Sequence, residues 1–349
     1  MAADYFHRLH RETPTRFWVN NPSGADLENA LAAGAISCTT NPAYCARLLQ
    51  SDRDYLHGVI DQVLLNETIE VEEAAVRVYQ RASQRVLDRF RPLYEQSGGA
   101  SGYVTMQDDP RLDRDAEATI RGALANRRLG PNYMAKIPVI AGGIEALEAC
   151  VAENVPVCAT EIFSISQAIY MCERYAAAAA RTGNRPPFYV THISGIFDQY
   201  LGVVAKREGI KIERGVLDQA GCAIARKEYR LLRANGYEGI LLGGGARGTH
   251  HFTEMVGGDV HVTINWSTAQ EIIEADMPIA PRMDVDPDPA AVAELREKFV
   301  DFQRAYDDGG LAVEEFADYG PVQFFRNAFL NGWYLLLAEV AARRNLWAV

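Results

Sequence analysis

The sequence lacks the patterns that would place it at a membrane or on a nucleic acid. No apolar run approaches the roughly 20 residues needed to cross a bilayer. The N-terminus has no basic flank followed by an apolar signal core. Lys and Arg total 35 against 46 Asp and Glu, and the resulting net charge of −11 argues against non-specific nucleic-acid binding. We therefore expect a soluble, cytoplasmic protein that handles a small molecule, with no nucleic-acid or membrane partner.

The sequence also lacks metal and nucleotide motifs. Its six cysteines show no CxxC spacing and are typical of buried free thiols in a reducing compartment. His250, His251 and His261 form the only histidine cluster, without an HExxH pattern, and adjacent histidines are expected to point in different directions. The glycine run 243–245 lacks the context of a nucleotide-binding loop. We expect neither a metal nor a cofactor.

The chain does contain a regular alternation of short apolar runs and longer stretches with helical periodicity. Such alternation predicts a parallel sheet, and near-continuous apolar strands predict that helices cover both faces. Eight units in 349 residues indicate one α/β domain, a (β/α)8 TIM barrel across 1–349. The predicted strands are 17–20, 36–41, 103–107, 134–139, 155–163, 188–193, 239–244 and 260–266.

Two segments exceed a minimal barrel. Residues 51–99 follow the second strand and predict an inserted pair of helices. Residues 278–289 are rich in proline and aspartate and predict a loop. A C-terminal extension, 290–349, follows; its helices over 291–306 and 322–344 are expected to pack across the barrel or at a subunit contact.

Lys136 is the most informative residue, because it lies within the apolar run Tyr-Met-Ala-Lys-Ile-Pro-Val. Burial lowers a lysine's pKa, and an uncharged amine can attack a carbonyl to form a Schiff base. The alternative is a lysine at a strand end whose ammonium group reaches solvent. Barrel chemistry is found at the C-terminal ends of the strands. Those ends carry Asn20, Asn41, Gln107, Lys136, Thr160, His192 and Arg247, a set that suits a polyhydroxylated carbonyl substrate.

Five segments resemble, in order and approximate spacing, the transaldolase family, which includes fructose-6-phosphate aldolase. They are 39–42 (Thr-Thr-Asn-Pro), 109–112 (Asp-Pro-Arg-Leu), 136–147, 160–168 and 243–247. The resemblance runs from about residue 17 to residue 273 and implies a (β/α)8 barrel with a Schiff base on Lys136. It further implies retro-aldol cleavage of a ketose in carbohydrate metabolism, as in the pentose phosphate pathway. The resemblance, together with the apolar face of the C-terminal helix, suggests a homodimer.

The resemblance also assigns roles by position. It implies that Asn41 contacts a bound dihydroxyacetone unit, that Thr160 helps to hold the catalytic water, and that Arg247 binds a sugar phosphate; Thr191 is a further candidate for substrate binding. Simpler interpretations remain for each. Asn41 could shape the turn before Pro42, Thr160 could be an ordinary strand residue, and Arg247 could be a surface residue.

The chain departs from the family pattern at the two positions where the family carries a catalytic acid, and at the phosphate site. Asn20 stands where the family has a proton-shuttling aspartate, and Gln107 stands where transaldolases have a glutamate, although fructose-6-phosphate aldolase has glutamine there. An amide cannot take up a proton. Gly195 and Gly245 replace an arginine and a serine of the phosphate site. His192 replaces an aromatic residue, and it could either restore acid–base capacity facing Lys136 or simply pack under a loop.

Three functions follow from this pattern. The first is a Schiff-base transaldolase or aldolase acting through Lys136 on a ketose with an altered distal group. The second is another lysine-dependent reaction, a dehydration or isomerisation of a sugar-like substrate in specialised metabolism. The third is a non-catalytic sugar-binding relative, against which the retention of Lys136 argues.

Overall fold

The computed structural model describes residues 4–66 and 69–347, and within them eight parallel strands close into a barrel. Each strand pairs with the next, and β8 pairs with β1. The strands are β1 (Arg16–Asn20), β2 (Ser37–Thr39), β3 (Val104–Met106), β4 (Tyr133–Pro138), β5 (Val157–Ile162), β6 (Phe188–Ile193), β7 (Ile240–Gly244) and β8 (His261–Ile264). The predicted (β/α)8 TIM barrel is therefore confirmed.

Helices surround the barrel and extend beyond it. They are α1 (Tyr5–Glu12), α2 (Gly24–Ala32), α3 (Tyr44–Ser51), α4 (Arg53–Asn66), α5 (Val71–Gln96), α6 (Ala116–Asn126), α7 (Ala141–Ala152), α8 (Ile165–Thr182), α9 (Ser194–Glu208), α10 (Arg214–Leu217), α11 (Ala220–Ala234), α12 (His250–Thr253), α13 (Trp266–Glu274), α14 (Pro289–Lys298), α15 (Val300–Tyr306) and α16 (Gly320–Trp347). The helices α4 and α5 occupy the segment predicted as an inserted pair. Among the described helices, none combines the length and the apolar character needed to cross a membrane.

The observed elements differ from the predicted ones mainly where an apolar run continues past the end of a strand. The run predicted as the strand 260–266 ends its pairing at Ile264, and Trp266 already begins α13. The helix predicted over 291–306 is two helices, because Phe299 has extended backbone angles (φ −128°, ψ 108°). Apolar residues are equally buried in strands and in helices, so hydrophobicity alone does not mark these boundaries.

The last helix covers the mouth of the barrel. Phe325 and Phe329 of α16 line the pocket that contains Lys136. One turn further along, Trp333 is fully buried and meets Tyr79 of α5 edge to face, with ring centroids 5.9 Å apart. The C-terminal extension thus packs across the barrel, one of the two arrangements predicted for it.

Alternation along β4 directs Lys136 into the barrel. The barrel interior holds a separate apolar cluster made of Trp18, Tyr103, Met134, Cys158, Tyr189 and Leu242. Since Met134 belongs to this cluster, Lys136, two residues later, points to the same side, one layer nearer the mouth. A glycine holds α7 tightly against the end of β4, because a Cβ at Gly143 would lie 1.9 Å from the carbonyl oxygen of Pro138.

Candidate active site

Lys136 lies at the base of a pocket of about 240 Å³ at the C-terminal end of the barrel. Lys136 is 7% exposed. Burial lowers the pKa of its amine, whereas the nearby Cys158 and Glu161 raise it. Its Nζ has no hydrogen bond or ion pair within the described parts of the chain, and it lies 5.8 Å from the centroid of the Phe329 ring. A buried amine without a fixed partner favours the uncharged form, which is the nucleophilic one.

Five of the eight predicted site residues line this pocket together. They are Asn20, Asn41, Lys136, Thr191 and Arg247. The sequence analysis missed several polar residues that share the pocket wall, namely Thr39, Arg47, Thr263 and Asn265. Thr39 and Thr263 occupy strand ends and could have been found by alternation, whereas Asn265 lies at the unpredicted boundary between β8 and α13.

Asn20 is held in one orientation by its neighbours. Its Nδ2 donates to Oδ1 of Asn265 at 2.9 Å, and its Oδ1 accepts from the hydroxyl of Thr39 at 2.9 Å. That hydroxyl lies 2.7 Å from the hydroxyl of Thr263. The carboxamide is thus a fixed element of a polar wall that can orient a hydroxyl group of a ligand, although it cannot accept its proton.

Asn41 fits both of the interpretations made from the sequence. Its Oδ1 accepts a hydrogen bond from the backbone N–H of Ala43 at 3.0 Å, the pattern of a turn that starts α3. Asn41 also lines the pocket. Thr191 lines it as well, and its hydroxyl lies 3.0 Å from Sγ of Cys158 on the neighbouring strand.

Gln107 and Thr160 are buried beside β4 and are not part of the pocket wall. Nε2 of Gln107 donates to Oε1 of Glu161 at 2.9 Å. Burial raises the pKa of Glu161 to about 7, partly offset by the hydrogen bond from Gln107. Glu161 was not among the predicted site residues. It directly follows Thr160 in β5, and regular alternation would place the two side chains on opposite faces.

The expectation that His192 faces Lys136 across the barrel mouth is wrong. The imidazole is fully buried between β6 and α11, where Nδ1 lies 3.1 Å from Oε1 of Glu228 and Nε2 lies 2.9 Å from the carbonyl oxygen of Gly221. Thr191 faces the pocket, so its neighbour in an extended strand must face the helices. The geometry supports the packing interpretation of His192.

The expectation that His250 and His251 point in different directions is also wrong. Both rings turn towards Asp198, with Nε2 to Oδ2 distances of 4.0 Å for His250 and 2.9 Å for His251. His261 is separate from them and accepts a hydrogen bond from the indole of Trp18 at 2.9 Å. The cluster of Asp198, His250 and His251 is the kind of group that could hold a cation. None of its three residues lines the pocket of Lys136.

The pocket wall also carries two guanidinium groups, those of Arg47 and Arg247. Arg247 donates through Nε to Oε1 of Gln199 at 2.7 Å, and Arg47 lies 3.5 Å from a carboxylate oxygen of Asp26. Gly195, which replaces the arginine of the family pattern, has no room for a side chain, because a Cβ there would lie 2.6 Å from the backbone nitrogen of Arg247. The loop after β7 therefore fills the space that a larger residue at position 195 would need.

Comparison with known proteins decides the family. The family model of transaldolase/fructose-6-phosphate aldolase matches residues 18–312. The chain belongs to this family. The match includes the C-terminal ends of all eight strands and the whole of α15, and it stops before α16, which covers the pocket mouth.

Several curated bacterial proteins named transaldolase are similar to this chain at low identity. A transaldolase of Thermobifida fusca is 28% identical over 237 residues, which cover 64% of this chain and 64% of that protein. Transaldolases of Mycobacterium ulcerans (29% identity, 56% of this chain and 54% of the relative) and Saccharopolyspora erythraea (30%, 60% and 58%) are also similar. The chain thus spans roughly half to two thirds of the length of these relatives. A chain of the methanol:cobalamin methyltransferase complex of Methanosarcina barkeri aligns with 78% of this chain at 12% identity and a TM-score of 0.34, too low to carry an argument.

We predict that His192→Asn in this transaldolase-family barrel lowers stability rather than Schiff-base formation. The substitution removes the partner of the buried Glu228 carboxyl group, whose pKa burial already raises. An unsatisfied buried polar group costs about 1–3 kcal/mol, and urea denaturation should show a loss of this size. The rate of Schiff-base trapping, measured at a temperature where the variant is folded, should stay within about twofold of the wild-type rate. If the variant is as stable as the wild type but traps the substrate much more slowly, His192 takes part in catalysis and the packing interpretation is wrong.

Proposed function

We propose that this protein is a Schiff-base transaldolase or aldolase that acts through Lys136 on a ketose. The observation that carries the proposal is the buried amine of Lys136 at the base of a polar pocket, without a hydrogen bond or ion pair to any described residue. Membership in the transaldolase family supports it. The polar wall of Asn20, Thr39 and Asn265 suits the several hydroxyl groups of a sugar-like substrate.

The proposed reaction follows from an uncharged Lys136. The amine attacks the ketone carbon, and a proton moves from nitrogen to oxygen to give a carbinolamine. A proton donor then protonates the hydroxyl group, which leaves as water, and an iminium ion remains. A base then takes the proton of the β-hydroxyl group, and the adjacent C–C bond breaks. The bonding electrons form a double bond between the α-carbon and the iminium carbon, whose π electrons pass to the nitrogen, so an aldehyde leaves and an enamine remains on Lys136. The enamine either attacks a second aldehyde, as in a transferase, or is protonated and hydrolysed, as in a lyase.

A different lysine-dependent reaction, such as dehydration or isomerisation, is the second candidate. The carboxamide of Asn20 favours it, because this side chain occupies the family position of a proton-shuttling acid and is fixed by two hydrogen bonds. Replacing Asn20 by Asp separates the two candidates. A gain in aldol cleavage supports the first, and an unchanged product pattern supports the second. The cytoplasmic location and the homodimer stay predictions.

The amine of Lys136 should become covalently attached to a bound ketose upon borohydride reduction. We expect intact-mass analysis with dihydroxyacetone, fructose and fructose 6-phosphate to show one adduct, and peptide mapping to place it on Lys136. Lys136→Ala should abolish the adduct, and Lys136→Arg should not restore it, because a guanidinium group stays protonated. Lys206→Ala, which removes a lysine from the exposed face of α9, is the matched control.

Two results would count against the mechanism. An adduct that persists on another lysine in folded Lys136→Ala would reject Lys136 as the nucleophile. A wild-type protein that binds ketoses without forming an adduct would instead be the non-catalytic relative.

The distal group of the substrate should be bound differently from an ordinary sugar phosphate. Phosphate recognition benefits from several matched cationic donors, and the family arginine is replaced at Gly195, where no side chain fits. We predict that the phosphate group of fructose 6-phosphate improves the KM for trapping by less than about tenfold over fructose, an energy of about 1.4 kcal/mol. Arg247→Gln and Arg47→Gln should remove whatever preference exists. A preference of a thousandfold or more would contradict an altered distal site.

A further inference from the structure

A buried carboxyl group stands beside the strand of Lys136 although both family positions for an acid carry amides. Glu161 is 1% exposed and Gln107 is 2% exposed, and they share the hydrogen bond of 2.9 Å between Nε2 and Oε1. Gln107 follows β3, and Glu161 belongs to β5. Because β4 lies between these two strands, the hydrogen bond spans the end of the strand that carries Lys136.

A backbone irregularity brings Glu161 into this position. The pairing of β5 with β6 shifts register between Ala159 and Ile162. Within that interval, Glu161 has a positive φ of 61°, a left-handed conformation that is unusual for a residue other than glycine. A bulge re-aims side chains, and such strain is concentrated at functional sites. The bulge thus frees Glu161 from the alternation that would otherwise place it opposite Thr160.

Three buried oxygen atoms at the ends of β3 and β5 lack a hydrogen-bond partner among the described residues. Oε2 of Glu161, Oε1 of Gln107 and Oγ1 of Thr160 are all fully buried and have no hydrogen-bond partner within the described residues. Buried oxygens of this kind are normally satisfied, often by an ordered water. Thr160 pairs in register with Pro138, two residues beyond Lys136, so it faces the same interior side of the barrel as the amine.

The charged groups around Glu161 come from three other parts of the fold. Lys136 approaches from β4, Asp113 from the segment after β3, and Arg326 from α16. Arg326 is already engaged by Asp113, with contacts of 2.6 and 3.0 Å to its two carboxylate oxygens. Burial is the main cause of the raised pKa of Glu161, about 7, so the carboxyl group can both give and accept a proton near neutral pH.

We propose that Glu161 is the proton donor and acceptor for Schiff-base formation on Lys136, acting through a water held with Gln107 and Thr160. The proposal rests on the function proposed above and places the acid of this barrel on β5 instead of β1 or β3. Protonated Glu161 gives its proton, through the water, to the hydroxyl group that leaves the carbinolamine. One water is released, the iminium forms, and the carboxylate remains; hydrolysis runs the same transfer in reverse.

The test is the rate of iminium formation with dihydroxyacetone, followed by borohydride quenching and intact mass. Glu161→Gln should lower this rate about 100-fold or more, because a positioned acid or base typically contributes that much. The wild-type rate should fall as the pH rises through about 7, since only the protonated carboxyl group donates, and Glu161→Gln should lack this limb. Glu173→Gln, which alters an exposed carboxylate on α8 and not the buried one on β5, is the matched control.

A purely structural role for Glu161 predicts a different result. The native pKa of about 7 exceeds the ordinary 4.5, so the native state binds the extra proton and ionisation costs stability as the pH rises between these values. Glu161→Gln avoids that cost and can still accept the hydrogen bond from Gln107. Its urea midpoint at pH 8 should therefore equal or exceed that of the wild type, whereas a structural carboxylate would make it lower.

A second variant keeps the proposal testable if the first folds poorly. The double exchange Gln107→Glu with Glu161→Gln keeps one amide and one acid in contact and moves the acid to the position used by transaldolases. We expect it to recover at least tenfold of the rate lost by Glu161→Gln, and no recovery would contradict the proposal. If the wild-type protein forms no adduct, the proposed function is refuted. If Glu161→Gln forms the adduct as fast as the wild type does, only the role of Glu161 is refuted.

Discussion

The chemistry proposed for this barrel depends on the burial of one amine. Keeping an ammonium group away from water is costly, and the free energy of that burial is what lowers the pKa of Lys136. Several features maintain it: the apolar interior cluster below, the aromatic rings of Phe325 and Phe329 above, and the tight seat of α7 on the end of β4 at Gly143. The packing of the barrel therefore favours the uncharged form of the Lys136 amine, whereas the amine of a solvent-exposed lysine is protonated at neutral pH.

The polar surroundings of this amine differ from the family pattern in a coherent way. Asn20 is not simply a lost acid, because Asn265 and Thr39 engage both ends of its carboxamide. Gln107 is likewise not isolated, since it binds the carboxyl group of Glu161. The amide at each family acid position therefore has an assigned partner, which is more consistent with a rearranged site than with decay after loss of function.

The fold and the buried position of Lys136 in the pocket could be predicted from the sequence, because they depend on local periodicity and on one charged residue in an apolar run. Details that depend on backbone direction could not. His192 follows Thr191, and strict alternation allows only one of them to face the pocket. Because Thr191 faces the pocket, the rule excludes His192 from the set of pocket residues. The same rule would have placed Glu161 on the face opposite Thr160, because no residue pattern indicates the bulge in β5. Gly195 and the convergence of His250 with His251 depend on contacts between distant segments.

The pKa of Lys136 tests the central claim most directly. Competitive labelling with acetic anhydride across a pH series, quantified by peptide mass spectrometry, reports the titration midpoint of each amine independently of how exposed it is. The account predicts a midpoint for Lys136 clearly below the value of about 10.4 that exposed lysines show. A midpoint at or above that value would mean that the amine is charged at neutral pH, and the Schiff-base account would fail.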